Sequence, residues 1–218
     1  VINGLRGAGV EVVQIGDISC GKPVGFNAQD GGCGDTYSIV TFESVNARDE
    51  GRYFDQGEHV RAFDTRFGRI GMLICEDFWH MSPAYLLWLD GADVMIFVSS
   101  SPSRGLDSGD RLSGTRWVEL VNQAYGSMCT DYVIHCNRVG YEDGKNFWGG
   151  SSVVDPNGEF LLHGTYFEEA LLTQTIDLND LHRTRSRLPL LRDERPTLVQ
   201  RELARILNIN QVHGKFYQ

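Results

Sequence analysis

Short apolar runs separated by polar and turn residues recur along most of this chain. Runs of this kind, too short for a helix and closed by a polar break, are typical of strands buried inside an α/β sheet. The segments that fit strands are Val10–Ile15, Tyr37–Glu43, His59–Thr65, Arg69–Ile74, Asp93–Val98, Tyr132–Cys136, Val153–Asp155, Phe160–Leu162 and Ala170–Ile176. Because helical segments alternate with these strands, the pattern predicts an α/β fold.

Three segments carry the signals of helices. Ser82 and Pro83 supply an N-terminal cap and a first-turn proline, and Gly91 supplies a C-terminal stop. A long helix is predicted from about Ser108 to Met128 and a last one from Pro196 to Leu207. The residues of the long helix that recur at helical spacing, and that we expect to face the sheet, are Trp117, Leu120, Val121, Ala124 and Met128.

Cys75 follows the apolar run Ile70–Ile74 directly. Open α/β sheets bind ligands at the carboxyl ends of their strands, so a thiol at this point is placed for chemistry. A single cysteine is more often a small buried hydrophobic residue. Here, however, the acidic residues Glu76 and Asp77 follow it directly and make its surroundings polar. An ordinary cysteine is only slightly ionised at neutral pH, so a reactive one needs a neighbouring base or cation.

The stretch GRIGMLICEDFWH, residues 68–80, resembles the nucleophile strand and turn of the carbon-nitrogen hydrolases, the nitrilase and amidase superfamily. Its ICEDFW form is also similar to the glutaminase domain of glutamine-dependent NAD synthetases. The resemblance extends from about Gly51 to the C-terminus. Upstream, Asp49–Phe54 with Gly57 resembles the family segment that carries the second active-site glutamate. Downstream, further motifs of the family follow in order: Val98–Pro102, Asn137–Gly140, Asn146–Ser151 and Asp155–Gly158.

This resemblance implies a nitrilase-like, four-layer α-β-β-α sandwich and hydrolysis of a small non-peptide amide or nitrile C–N bond. Cys75 matches the nucleophile, Glu50 the second glutamate of the site, and the backbone N–H of Glu76 the oxyanion donor. The family's reaction passes through a cysteine thioester and releases ammonia or an amine. It uses no metal and no organic cofactor. The residues that we expect to line the substrate pocket are Tyr53, Trp79, Asn137 and Phe147.

Two groups of the family's site have no match. The first strand, first catalytic glutamate and first helix of the pattern are not found, and the lysines stand at 22, 145 and 215 only. Arg48 is the nearest cation to the expected lysine position. Three interpretations are open: the missing residues lie in a segment outside this sequence, the protein is an inactive binding or assembly relative, or Glu43 or Glu76 has taken over the lost role.

Composition narrows the class of protein. With 218 residues, 41% hydrophobic and 22% charged, the chain fits one globular domain spanning 1–218. Its net charge of −9 argues against nucleic acid or an anionic membrane as partner. The five cysteines form no CxxC pair, and the N-terminus has no signal-peptide pattern, so we expect a reducing, cytoplasmic location. A homodimer or higher homo-oligomer is expected from the family.

Three further groups have simpler interpretations. His135 and Cys136 are adjacent in a strand, so they point to opposite faces and cannot form a dyad, and His135 is expected to be a core residue. The serines of Ser99–Ser101 are expected to be a polar strand end. A papain-like protease would need a histidine beside Cys75, and His80 lies beyond the turn. The basic stretch Arg183–Arg187 is expected to be a solvated or subunit-contacting tail.

Overall fold

The computed structural model of the chain describes residues 59–103, 113–142 and 144–213. All of them belong to one of the two compact units into which the chain divides. The predicted strands Val10–Ile15 and Tyr37–Glu43, together with Glu50 and Tyr53, lie outside the described residues. The single-domain assignment for 1–218 therefore stays a prediction.

The described residues form a six-stranded mixed sheet with the strand order β1-β2-β3-β4-β7-β8. The central strands β2, β3 and β4 are parallel, and the outer strands pair antiparallel. A separate two-stranded ribbon, β5 and β6, lies between β4 and β7 in sequence and was not predicted. The strand bounds are β1 Phe63–Thr65, β2 Gly68–Ile74, β3 Val94–Ser99, β4 Tyr132–Asn137, β5 Val139–Glu142, β6 Lys145–Trp148, β7 Ser152–Val154 and β8 Phe160–His163.

Two α-helices make the crossovers between the parallel strands, as such connections require. Helix α1, Met81–Leu89, joins β2 to β3, and helix α2, Ser113–Cys129, comes between β3 and β4. A five-residue 3-10 helix, Cys75–Trp79, precedes α1. The later helices are α3 Asn179–Arg187, α4 Leu190–Asp193 and α5 Pro196–His213. Within the described ranges, no helix combines the length and the apolar character needed to cross a bilayer.

The main apolar core contains sheet residues and residues of α1 and α2. Leu73, Phe97 and Val133 come from neighbouring strands and are almost fully buried. Gly71 allows α1 to approach closely, because a Cβ there would lie 2.8 Å from Leu87 Cδ1. The backbone of β2 can therefore pack directly against the helix that follows the Cys75 turn.

The prediction for the face of α2 was wrong except for Val121, which packs against the core. Met128, Leu120 and Trp117 are exposed, with Met128 64% exposed. The buried positions are Thr115, Val118, Glu119, Asn122, Gly126 and Cys129, which also recur at helical spacing. Hydrophobic periodicity identified the helix correctly but selected the wrong stripe, because the stripe that packs on the sheet contains polar side chains.

One prediction after β8 was also wrong, because residues 170–176 form no strand. The basic stretch Arg183–Arg187 forms the C-terminal half of α3, and Arg183 and Arg187 are exposed as expected. Arg185, by contrast, is tied to the sheet by ion pairs with Asp93 and Asp131 at 2.8 and 2.5 Å. The alternative of a subunit contact stays a prediction.

The predicted hairpin of β7 and β8 is confirmed. Its turn is held by Asp155, whose Oδ1 accepts hydrogen bonds from the backbone N–H groups of Asn157 and Glu159, both at 2.9 Å. The helix from Pro196 and the buried position of His135 are confirmed as well.

Candidate functional site

Cys75 lies at the carboxyl end of β2, where the strand turns into the 3-10 helix. Its backbone has φ +45°, in the left-handed region that residues other than glycine rarely adopt. Buried neighbours hold this turn. Asp77 is 1% exposed and its Oδ2 accepts the N–H of Ile74 at 3.1 Å, and the ring of Phe78 stacks on Phe97 at 4.8 Å.

A serine of the neighbouring strand contacts the sulfur. Ser99 Oγ lies 3.6 Å from Cys75 Sγ in donor geometry, and 2.7 Å from Ser101 Oγ. If Ser99 donates to the sulfur, its oxygen accepts the hydroxyl proton of Ser101. The two hydroxyl groups therefore give the sulfur polar neighbours at the edge of the sheet.

The contact between Cys75 and Ser99 follows from the register of the sheet. Ile74 pairs with Val98, so the next residues of the two parallel strands are adjacent. We expected Ser99–Ser101 to be a polar strand end and predicted no contact between these serines and the sulfur. The contact requires that both strands end at the same level, and the sequence alone does not fix that register.

Asn137 connects three segments behind the site. Its Oδ1 accepts the N–H of Ser101 at 3.0 Å, and its Nδ2 donates to the carbonyl of Gly149 at 2.8 Å. Its backbone N–H donates to Ser151 Oγ at 3.0 Å. Asn137 therefore fixes the segment after β3, which carries Ser101. This structural role does not depend on any contact between Asn137 and a substrate.

The other predicted site residues that the structure describes have different surroundings. The side chain of Trp79 is partly exposed and meets Trp117 of α2 edge-on, with 5.3 Å between ring centroids. Phe147 is buried beneath the guanidinium of Arg138, 4.6 Å from its ring centroid. Glu76 comes directly after Cys75, and its Oε1 lies 3.8 Å from His80 Nε2.

A glycine after β6 lies against two further aromatic rings. Gly150 has φ +63°, and a Cβ there would lie 2.6 Å from the ring of Trp148 and 2.8 Å from that of Tyr166. Both the conformation and the space therefore require glycine at this position.

His135 lies in the core behind the turn and is 1% exposed. Its ring is edge-on to Phe78 at 5.6 Å, and neither ring nitrogen has a hydrogen-bond partner within the described part of the chain. Burial, together with a smaller contribution from His163, lowers the pKa of His135 to about 3. The ring is therefore neutral at neutral pH and does not act as a cation toward Cys75.

The two other cysteines of the described residues are in different surroundings. Cys129 is buried, and its burial raises the pKa of its thiol. Burial also raises the pKa of Cys136. In the described ranges, no group of three or more His, Cys, Asp and Glu side chains is placed to hold a metal ion.

Comparison with known proteins adds evidence on family. The profile of the carbon-nitrogen hydrolases matches residues 38–186. The glutamine-dependent NAD(+) synthetase of Thermotoga maritima is 32% identical over 157 residues, covering 70% of this chain and 26% of the synthetase. The N-carbamoylputrescine amidase of Arabidopsis thaliana is 30% identical over 159 residues, covering 67% of this chain and 51% of the amidase.

Solved structures show the same architecture. A carbon-nitrogen hydrolase from Helicobacter pylori G27 superposes with a TM-score of 0.67 and 27% identity, covering 76% of this chain and 59% of that one. A mutant amidase from Nesterenkonia sp. AN1, described with covalent addition of the acetamide moiety of fluoroacetamide at its active-site cysteine, gives a TM-score of 0.58 at 21% identity, covering 75% of this chain and 54% of that one. These neighbours confirm the predicted nitrilase-like α/β fold. The chain spans about half the length of the plant amidase and about a quarter of that of the synthetase.

Proposed function

The chain belongs to the carbon-nitrogen hydrolase family, and from this premise we propose that it hydrolyses a small non-peptide amide or nitrile through a thioester on Cys75. The observation that supports this most directly is the position of Cys75. Its sulfur lies at the carboxyl edge of the parallel strands, in a left-handed turn and beside the hydroxyl of Ser99. The pairing of a strained turn with an accessible polar edge is typical of a nucleophile that must project from a sheet.

In the proposed reaction with an amide, the Cys75 thiolate attacks the carbonyl carbon and forms a tetrahedral intermediate. The C–N bond then breaks, the nitrogen leaves as ammonia or amine after taking up a proton, and the acyl group stays on sulfur as a thioester. Water attacks the thioester and releases the acid and the thiol. The N–H of Glu76 lies in the first turn of the 3-10 helix, where backbone N–H groups have no partner within the helix, and is proposed as oxyanion donor.

The proton transfers require a base, and Glu50 is proposed as the second glutamate of the site. The family's first glutamate and its lysine have no match in the sequence. Glu76 is a candidate replacement because its carboxylate adjoins the sulfur in sequence and is partly exposed. Tyr53, Trp79, Asn137 and Phe147 are proposed to line the substrate pocket.

We also propose that the protein acts as a homo-oligomer in the cytoplasm. The support is a set of exposed apolar side chains on α2, on the 3-10 helix after β2 and at the start of α1. These side chains are Trp79, Met81, Trp117 and Met128. Of these, Trp79 and Trp117 are in contact, with 5.3 Å between ring centroids, and exposed apolar side chains that adjoin one another mark an interaction site more often than scattered ones do.

The proposed reaction is tested by ammonia release from acetamide, propionamide, L-glutamine and N-carbamoylputrescine, together with intact-mass detection of an acyl adduct. The last two compounds are suggested by the names of the relatives. We expect hydrolysis of at least one compound and its loss by about a thousandfold or more in Cys75→Ala, since a nucleophile and its partners act as a unit.

Two variants separate the alternatives. Ser100→Ala, at the exposed middle serine of the same strand end, is the matched control and should keep the activity. Glu76→Gln should abolish hydrolysis if its carboxylate is the replacement base. Hydrolysis that survives Cys75→Ala would contradict the proposal. A chain that neither hydrolyses an amide nor forms an adduct would favour the binding or assembly protein.

A further inference from the structure

A second cleft lies between α2 and β8, apart from the cysteine. It has a volume of about 390 Å³. Its walls carry opposite charges, three aromatic or imidazole rings and an aliphatic side chain. The lining residues are Arg116, Glu119, Leu120, Gln123, Phe160, His163 and Tyr166.

The strand register separates this cleft from Cys75. His163 pairs with Ser152, which pairs with His135, and the same row continues through Phe97 to Leu73. Four steps across a sheet place the backbones of His163 and Leu73 about 19 Å apart. The proposed reaction at the end of β2 therefore does not use this cleft.

Glu119 is the buried anion of the cleft. It is only 8% exposed, and its Oε1 accepts a hydrogen bond from the Tyr166 hydroxyl and lies 2.9 Å from His163 Nε2. Its other oxygen, Oε2, has no hydrogen-bond partner among the described residues. A carboxylate that is nine-tenths buried with one oxygen unused offers a strong acceptor to a ligand, because charge-assisted bonds in such surroundings are the stronger ones.

Arg116 supplies the opposite charge at the same cleft. It is exposed and stands three residues before Glu119 on α2, so both project from the same side of the helix. Among the described residues it forms no ion pair, not even with Glu119. Its guanidinium is therefore available to bind a carboxylate in a two-pronged arrangement.

The remaining walls are suited to an apolar group. Phe160 and His163 meet edge-on at 5.3 Å between centroids, as do His163 and Tyr166, and Leu120 adds an aliphatic surface. Gln123 is already used, because its Nε2 donates to the carbonyl of Gly158 at 2.9 Å. A small number of convergent polar groups in an otherwise apolar cleft is the usual composition of a small-molecule site.

We propose that this cleft binds a small zwitterion, an amino acid with an apolar side chain. Glu119 Oε2 accepts from the ammonium, Arg116 binds the carboxylate, and the side chain contacts Leu120 and Phe160. The site is distinct from the proposed hydrolase site and does not depend on its activity.

The test is calorimetric titration of the whole 218-residue chain with L-leucine, isoamylamine and 4-methylpentanoate. The last two keep the apolar group but lack the carboxylate or the ammonium. All titrations are repeated with Cys75→Ala, so that heat from a covalent reaction at the proposed hydrolase site does not contribute, and the cleft itself is tested by substitution of Arg116. We expect saturable binding of L-leucine that survives Cys75→Ala and is about tenfold or more weaker for each of the other compounds.

Arg116→Gln should weaken L-leucine binding about tenfold or more while leaving the thermal unfolding midpoint unchanged, because the side chain is exposed and forms no ion pair with another described residue. Arg201→Gln, at an exposed arginine of α5, is the control and should bind like the unaltered chain. The proposal is overturned if L-leucine shows no saturable binding, if Arg116→Gln binds as well as the control, or if either single-charge compound binds as tightly as L-leucine.

Discussion

At the scale of single residues, Cys75 differs from the other described thiols in conformation and surroundings. A non-glycine residue with φ +45° raises the energy of the folded state by roughly 1–3 kcal/mol. The turn persists because two buried side chains hold it. The Asp77 carboxylate accepts the backbone N–H of Ile74, and the ring of Phe78 stacks on that of Phe97. This rigidity keeps the sulfur at the sheet edge, whereas Cys129 and Cys136 are packed within or against the sheet.

Alkylation should separate these thiols. With limiting iodoacetamide at pH 7.5, Cys75 should be modified about tenfold or more faster than Cys129 and Cys136, whose pKa values are raised by burial. Peptide mass spectrometry gives the rate at each cysteine. Cys75→Ser serves as control and should leave the labelling of the other two unchanged. Equal rates at all three would show that Cys75 has no special reactivity.

The buried His135 should make stability depend on pH. Its folded-state pKa of about 3 lies below the unfolded value near 6.5, so the unfolded chain binds a proton that the folded chain does not. Stability should therefore be lost as pH falls below about 6.5, by up to roughly 1.4 kcal/mol per pH unit, until the folded-state value is reached.

Urea unfolding at pH 7.5 and pH 5.0 measures this contribution. His135→Phe should reduce the stability difference between the two pH values by about 2 kcal/mol. His182→Gln, at an exposed histidine of α3, is the control and should keep the full difference. A difference unaffected by His135→Phe would assign the pH dependence to other groups.

At the scale of elements, one arginine of α3 ties the helix to the sheet through an ion pair with a buried carboxylate. Arg185 bonds Asp93, the carbonyl of Ala92 and the fully buried Asp131. Arg183, two residues earlier, pairs with Asp177 and Asp180 at the surface. The two arginines belong to the same basic stretch, but only one of them has a buried partner.

Removing each arginine should therefore have different effects on unfolding. Arg185→Ala leaves the Asp131 carboxylate buried without its cation, which should lower the free energy of unfolding by about 3–5 kcal/mol. Arg183→Ala removes only exposed ion pairs and should change it by less than about 1 kcal/mol. Chemical denaturation at neutral pH provides both values. Similar losses for the two variants would mean that Arg185 does not hold α3.

At the scale of the whole molecule, the exposed side of α2 is the least explained surface. The side chain of Met128 is largely exposed, and Trp117 lies beside Trp79, at the end of the 3-10 helix that begins at Cys75. The hydroxyl of Tyr125 donates to the carbonyl of His80, so the start of α1 is fixed against the same helix. An interface on this surface would contact Trp79 and, through it, the 3-10 helix that carries Cys75.

Replacing one residue of this surface tests the proposed oligomer. Met128→Arg places a charge in the surface and should shift the mass measured by light scattering from an oligomer to a monomer, because a buried unpaired charge opposes association. Leu171→Arg, at an exposed leucine elsewhere, is the control and should leave the mass unchanged. A wild-type monomer, or an oligomer unaffected by Met128→Arg, would contradict the proposal.

The sequence predicted the strands of the central sheet well because each is a short apolar run closed by polar residues. It placed Cys75 correctly at a strand end for the same reason. It failed for residues 170–176, whose β-branched and apolar residues suggested a strand but which pair with no strand among the described residues. It also selected the wrong face of α2, because Asn122 and Glu119 are buried in spite of their polarity.

By itself, the sequence determined the order of the central strands and of their two crossover helices, the position of the thiol and the family, since these depend on local pattern and on motifs along one chain. Tertiary structure alone decided that Ser99 meets the Cys75 sulfur, that Arg185 pairs with Asp131, and that Glu119, His163 and Tyr166 share a cleft. Each of these contacts joins residues distant along the chain. They depend on strand register and helix rotation, which are set by packing between elements and not by the pattern within any one of them.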